Sequence, residues 1–86
     1  MIGIDLDYYI QETDALVEQI EDDIIDYFEN NNITEIQVNH FTLCGEHIEK
    51  LIFDKEAYRI FYEMGGVKHR LDTLSISQII TLILSI

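Results

Sequence analysis

Ala57-Tyr58-Arg59-Ile60-Phe61-Tyr62-Glu63-Met64-Gly65-Gly66-Val67-Lys68-His69-Arg70-Leu71 is the stretch that decides the fold. Its first half is rich in the aromatic and branched residues that suit a pleated, half-buried surface. Gly65-Gly66 then supplies two residues that reach positive φ without strain, the requirement of a tight two-residue hairpin. Beyond it Val67, His69 and Leu71 alternate with Lys68, Arg70 and Asp72, which reads as a strand with one wet face. A hairpin of strands over 57–64 and 67–71 is therefore expected.

Working toward the N-terminus, Asp54-Lys55-Glu56 is a short polar turn and Ile48 to Phe53 a strand before it. Thr34 to Leu43 reads as a further strand whose phase changes midway. Ile36 and Val38 share one parity, Phe41 and Leu43 the other, so a bulge at Asn39-His40 would return both pairs to the core face. Asp7 to Asn30 reads as a long helix. Tyr9, Ile10, Leu16, Val17, Ile20, Ile24, Tyr27 and Phe28 gather on one side of the wheel, and Asp14, Glu18, Asp22, Asp26 and Glu29 on the other. Asp5 or Asp7 can cap its start, while the alternation of Ile2, Ile4, Leu6, Tyr8 and Ile10 leaves a strand reading open there. Asn30-Asn31-Asn32 stops the helix.

Toward the C-terminus, Ser75-Ile76-Ser77-Gln78 has the spacing of a capping box and starts a helix from Ile76 to about Ser85. The order α-β-β-β-β-α predicts an α+β fold. A long acidic N-terminal helix and a short apolar C-terminal helix pack on a four-stranded antiparallel meander, as one domain over residues 1–86. In the last helix Ile76, Ile79, Ile80, Ile83 and Leu84 cover more than one face, so a homodimer through these residues is expected.

The chain has 17 acids and five bases, a net charge of −12. Eleven of the acids and none of the bases fall in residues 1–35. Like charges at i, i+4, such as Glu18/Asp22 and Asp22/Asp26, destabilise a helix by a few tenths of a kcal/mol per pair. From Asp5 to Glu29 ten acids give roughly one charge per 3.7 Å of helix, against about 3.4 Å per phosphate along one DNA strand. Ile25 falls on the wheel among Glu18, Asp22 and Glu29, which suits a contact surface. The expected partner-binding set is Asp14, Glu18, Glu21, Asp22, Ile25, Asp26 and Glu29. The expected partner is a basic nucleic-acid-binding protein or nuclease, since the charge argues against direct contact with nucleic acid or an anionic membrane. The competing reading is a homo-oligomeric structural or accessory protein whose acidic helix is only a solvated face.

In length and charge distribution the chain resembles the small acidic inhibitors that phages and mobile elements use against bacterial defence nucleases, the anti-CRISPR and anti-restriction proteins that mimic DNA. It is similar in the same respects to bacteriocin immunity proteins, which cover the basic surface of a nuclease. The resemblance implies a non-enzymatic inhibitor and carries over no site residues.

His40-x₃-Cys44-x₂-His47, with Glu46 or His69 as a fourth ligand, is the one cluster of zinc-ligand type, but its spacing is not that of the usual pairs. No metal and no cofactor is expected, and Cys44 reads as a buried structural thiol. Phosphate-cradling Gly-rich loops and nucleophile elbows are absent from the sequence, so no enzymatic activity is expected. A lone cysteine, a non-basic start and no apolar run of about 20 residues give a cytoplasmic location as the expectation.

Overall fold

The computed structural model describes residues 16–86. Helix α1 spans Leu16–Asn30, followed by strands β1 (Glu35–Gln37), β2 (Thr42–Leu43), β3 (Glu46–Asp54), β4 (Arg59–Met64) and β5 (Val67–Arg70). A 3₁₀ turn at Leu71–Thr73 leads to helix α2, Ile76–Leu84. The fold is α+β, with an antiparallel sheet between an N-terminal and a C-terminal helix in the chain. The start of the first helix, its Asp5 or Asp7 cap and the alternation from Ile2 to Ile10 lie outside the described residues.

Strand β3 is the spine of the sheet. The strand order is β1-β3-β4-β5, and β2 also pairs with β3. The expected first strand is thus two short strands, β1 and β2, laid along one partner. Val38 donates its N–H to Glu49 O and Ile48 donates to Phe41 O, so Asn39 and His40 bulge out between adjacent residues of β3. Both Val38 and Phe41 reach the core. The interruption falls where the parity change places it. Strand β3 carries its own irregularity at Glu49, between the Ile48–Met64 and Lys50–Glu63 pairs. That shift lets Ile48 and Leu51, of opposite parity, point to the same side.

The direct pairs define two faces. Ile36, Leu51, Tyr62 and His69 form one inner row, with Phe53 and Ile60 beside them. Glu35, Ile52, Phe61 and Arg70 form one outer row, and Gln37, Lys50, Glu63 and Lys68 the next. The buried inner-face residues and the buried residues of both helices belong to a single apolar cluster. The turns follow from their residues. Gly65 and Gly66 adopt φ of 60° and 78°, as the hairpin requires. At the β3–β4 turn Asp54 Oδ1 accepts the N–H groups of Glu56 and Ala57. That turn runs to Tyr58, whose φ is 53°, so β4 begins at Arg59 and not at Ala57. Cys44 also has a positive φ, 52°, and with Gly45 closes the β2–β3 hairpin. It is exposed, not a buried thiol.

Helix α1 ends in a Schellman motif. Ile33 donates to Phe28 O and Asn32 to Glu29 O, with Asn32 left-handed at φ 55°. Helix α2 opens with the expected capping box, Gln78 N–H to Ser75 Oγ and Ser75 N–H to Gln78 Oε1. The expected dimer interface on it is corrected at three of its five residues. Ile76, Ile79 and Ile83 are enclosed within the single chain, Ile80 is half-buried, and Leu84 is exposed at 61%. The buried residues, with Leu82, span about 120° of the wheel, while Ser77, Thr81 and Ser85 line the other side. The apolar arc is wide but one-sided, and the core of one chain takes its centre. No helix among the described residues is long and apolar enough to cross a membrane.

The capping box generates a direct test. Ser75→Ala removes the acceptor for the Gln78 N–H and should cost about 1 kcal/mol. In urea unfolding the midpoint should fall with an unchanged slope.

Candidate protein-binding face

Helix α1 is oriented by what lies beneath it. Val17, Ile20, Ile24 and Phe28 enter the core, as their spacing requires. Glu21 and Ile25, both expected on the binding face, are also buried, at 5% and 2% exposure. The reason for Glu21 is a backbone group left over by the sheet. Phe53 donates its N–H toward β1, to Thr34 O, so its pair partner Ile60 points its own N–H the other way, past the end of β5. Glu21 Oε2 accepts that N–H at 3.1 Å. Ile25, one turn further along the same edge, is carried down with it. The binding set loses both residues. Asp14 lies outside the described residues.

Four members remain in place. Glu18, Asp22, Asp26 and Glu29 are exposed along one side of α1. At 1.5 Å per residue they follow one another at about 5.5 Å along the axis, sparser than the phosphates of a DNA strand. Among the described residues no ion pair reaches Glu18, Asp22 or Asp26. Three of the five bases are occupied elsewhere. Lys50 bridges Glu35 at 2.8 Å and Glu63 at 3.4 Å on the outer sheet face. Arg59 lies 3.3 Å from Asp72 and 3.6 Å from Glu21, and Arg70 also pairs with Asp72. The ridge therefore presents uncompensated carboxylates while the sheet neutralises its own.

One residue of this face has no counterpart in the sequence reading. Tyr58, exposed at 54%, stands on the β3–β4 turn and donates its hydroxyl to Glu29 Oε1 at 2.9 Å. Its ring meets Phe53 edge-on at 5.7 Å. The Glu29 hydrogen bond, partial desolvation and the charges of Glu29, Asp26 and Asp22 hold the phenol above its usual range. The ridge thus ends in an aromatic platform, beside a hollow of about 270 Å³ bounded by Phe28, Glu29, Asn32, Ile33, Phe53, Lys55 and Tyr58. Only the Asx turn begun by Asp54 hinted that Tyr58 would leave the strand.

His40, Cys44 and His47 are exposed, and His69 instead stacks on the Tyr62 ring at 5.2 Å. Among the described residues no three His, Cys, Asp or Glu side chains come together in a group able to hold a metal. No protein-family model, curated protein or solved structure matches the chain.

Burial pushes the Glu21 carboxyl above its usual range; the Ile60 N–H and the Arg59 charge oppose this in part. Because the folded pKa is the higher one, the unfolded chain releases this proton first. The Glu21 contribution to stability therefore falls as pH rises from the ordinary carboxylate value through the raised one. Glu21→Gln keeps an acceptor for Ile60 and should remove that part of the pH dependence, with stability at pH 7 within about 1 kcal/mol of the parent. Glu21→Ala leaves the N–H unpaired and should cost about 1–3 kcal/mol. Urea titrations of both variants from acid to neutral pH distinguish the two effects.

Proposed function

We propose that the protein is a non-enzymatic inhibitor that presents one side of α1 to a basic nucleic-acid-binding protein or nuclease. The observation that carries this reading is the ridge of Glu18, Asp22, Asp26 and Glu29, which no ion pair reaches among the described residues. A helix that served only solubility would be more stable with bases interleaved at i, i+4. Here the bases are absent from α1, and three of the five are drawn into ion pairs on the sheet and at its edge. An exposed carboxylate row of this kind attracts a groove lined with Lys and Arg and competes with phosphate for it.

Tyr58 extends the ridge at its C-terminal end. A ring face flanked by carboxylates takes an arginine guanidinium by stacking and charge together. The surface is thus a row of anionic points with an aromatic stop. It supports blocking of a partner and involves no bond making or breaking.

The experiment is a capture of basic proteins from the source cell's lysate, followed by competition with DNA and RNA. The expected outcome is a nuclease or nucleic-acid-binding protein that nucleic acid displaces. The triple change Glu18→Lys, Asp22→Lys, Asp26→Lys should lower affinity at least about 100-fold while circular dichroism stays unchanged. Affinity of the parent chain should fall steeply between low and physiological salt. Binding that survives the triple change, or is indifferent to nucleic acid, would defeat this reading.

A further inference from the structure

The outer face of the sheet differs from the rest of the molecule in charge. Its three rows hold the acids Glu35, Asp54 and Glu63 and the bases Lys50, Arg59, Lys68 and Arg70. With Asp72 paired to Arg70, the face is neutral in a chain of net charge −12. At its centre Ile52 and Phe61 are direct cross-strand neighbours. Both are half-buried, yet neither joins the core cluster. They floor a shallow depression of about 580 Å³.

We propose that this face binds a second copy of the chain, sheet to sheet, forming a homodimer. Charge selects the occupant. Two copies of so acidic a chain repel wherever α1 takes part, and the outer face is where that repulsion is least. The sheet separates it from the helices, and the molecule is 22 Å across in its shortest direction. That thickness exceeds the Debye length of about 8 Å at physiological salt, so the two acidic ridges are screened from one another.

The face is also complementary to itself. Its β1 edge ends in Glu35 and its β5 edge in Lys68 and Arg70. A twofold axis running along the strands, in the plane between the sheets, lays each β1 edge over the partner's β5 edge. Rotation about that axis keeps each row at its own level, so Glu35 comes over the partner's Arg70 and Lys50 over the partner's Glu63, opposite signs at both. Ile52 and Phe61 then pack against their counterparts in the second copy, at the sheet separation of about 10 Å.

Four strands about 4.8 Å apart offer a footprint of only a few hundred Å², so the dimer belongs with weak interfaces. It goes beyond the reading of α1 and does not depend on it. Its consequence is a particle with an acidic helix on each outward side.

Sedimentation equilibrium of the full chain from about 10 μM to 1 mM tests this, a range suited to weak interfaces. The mass should rise from 10.1 kDa toward twice that value. Phe61→Asp, which places a charge at the centre, should hold the mass at the monomer value. Glu35→Lys, which sets like charges over the partner's Arg70, should weaken association several-fold, and Leu84→Asp on α2 should leave it unchanged. A constant mass near 10.1 kDa overturns the proposal. So does self-association that Leu84→Asp abolishes or that Phe61→Asp leaves intact. Should Phe61→Asp fail to fold, Glu35→Lys decides alone, and unchanged association then overturns the proposal.

Discussion

Strand β5 stops at Arg70, and the backbone N–H of Ile60 is left beyond its end. A buried N–H without an acceptor costs about as much as a lost hydrogen bond, so something must be brought to it. Glu21 is what arrives, from 39 positions earlier in the chain. The rest of α1 follows from that contact. Once Glu21 faces the sheet, Ile25 and Phe28 lie on the same side, and Glu18, Asp22, Asp26 and Glu29 are turned outward. The exposed ridge is thus a consequence of where one strand ends. Arg59 and Asp72 complete the junction, with Arg59 set between both carboxylates.

Charge is divided between the two layers in a way that neither layer explains alone. On the sheet, alternation and register bring opposite signs together, as in the Lys50 bridge between β1 and β4. Cross-strand pairs of this kind add modestly to stability and suppress stray pairing at the edges. On α1 no base stands at i±3 or i±4; among the described residues no ion pair reaches Glu18, Asp22 or Asp26, and Glu29 accepts the Tyr58 hydroxyl. One molecule therefore carries a neutral face and a strongly negative one, a layer's thickness apart.

The features legible in the sequence were those decided by neighbouring residues. Gly65-Gly66 needs only its own two dihedral angles, and Ser75 and Gln78 satisfy each other within one turn. The parity change between Val38 and Phe41 marked the interruption at Asn39-His40, because burial leaves a strand few other ways to keep both on one face. What escaped the reading depended on distant partners. A wheel places Ile25 among acids, and only the junction with β4 shows that this edge is covered. The apolar span of α2 suggested an unmet face, whereas the core of the single chain encloses Ile76, Ile79 and Ile83. Tyr58 looked like part of a strand until the Asx turn at Asp54 moved it into the left-handed region, next to Glu29. Of the expected binding set, the four residues on the fully exposed side of α1 kept their place; the two at its edge did not.

The long reach of the Glu21–Ile60 bond also orders events as the chain folds. Strands β3, β4 and β5 are joined by turns of four and two residues, so their pairing closes short loops at low entropic cost. Helix α1 is tied to them only through contacts of high sequence separation, of which this bond is one. Loop-closure entropy therefore favours pairing of the meander before docking of α1 onto the sheet edge that carries this N–H. Until it docks, the carboxylates of α1 belong to an undocked segment and their repulsion is relieved by distance. The ridge exists as a single fixed row only when α1 is packed on the sheet, because that packing is what turns Glu18, Asp22, Asp26 and Glu29 to the same side.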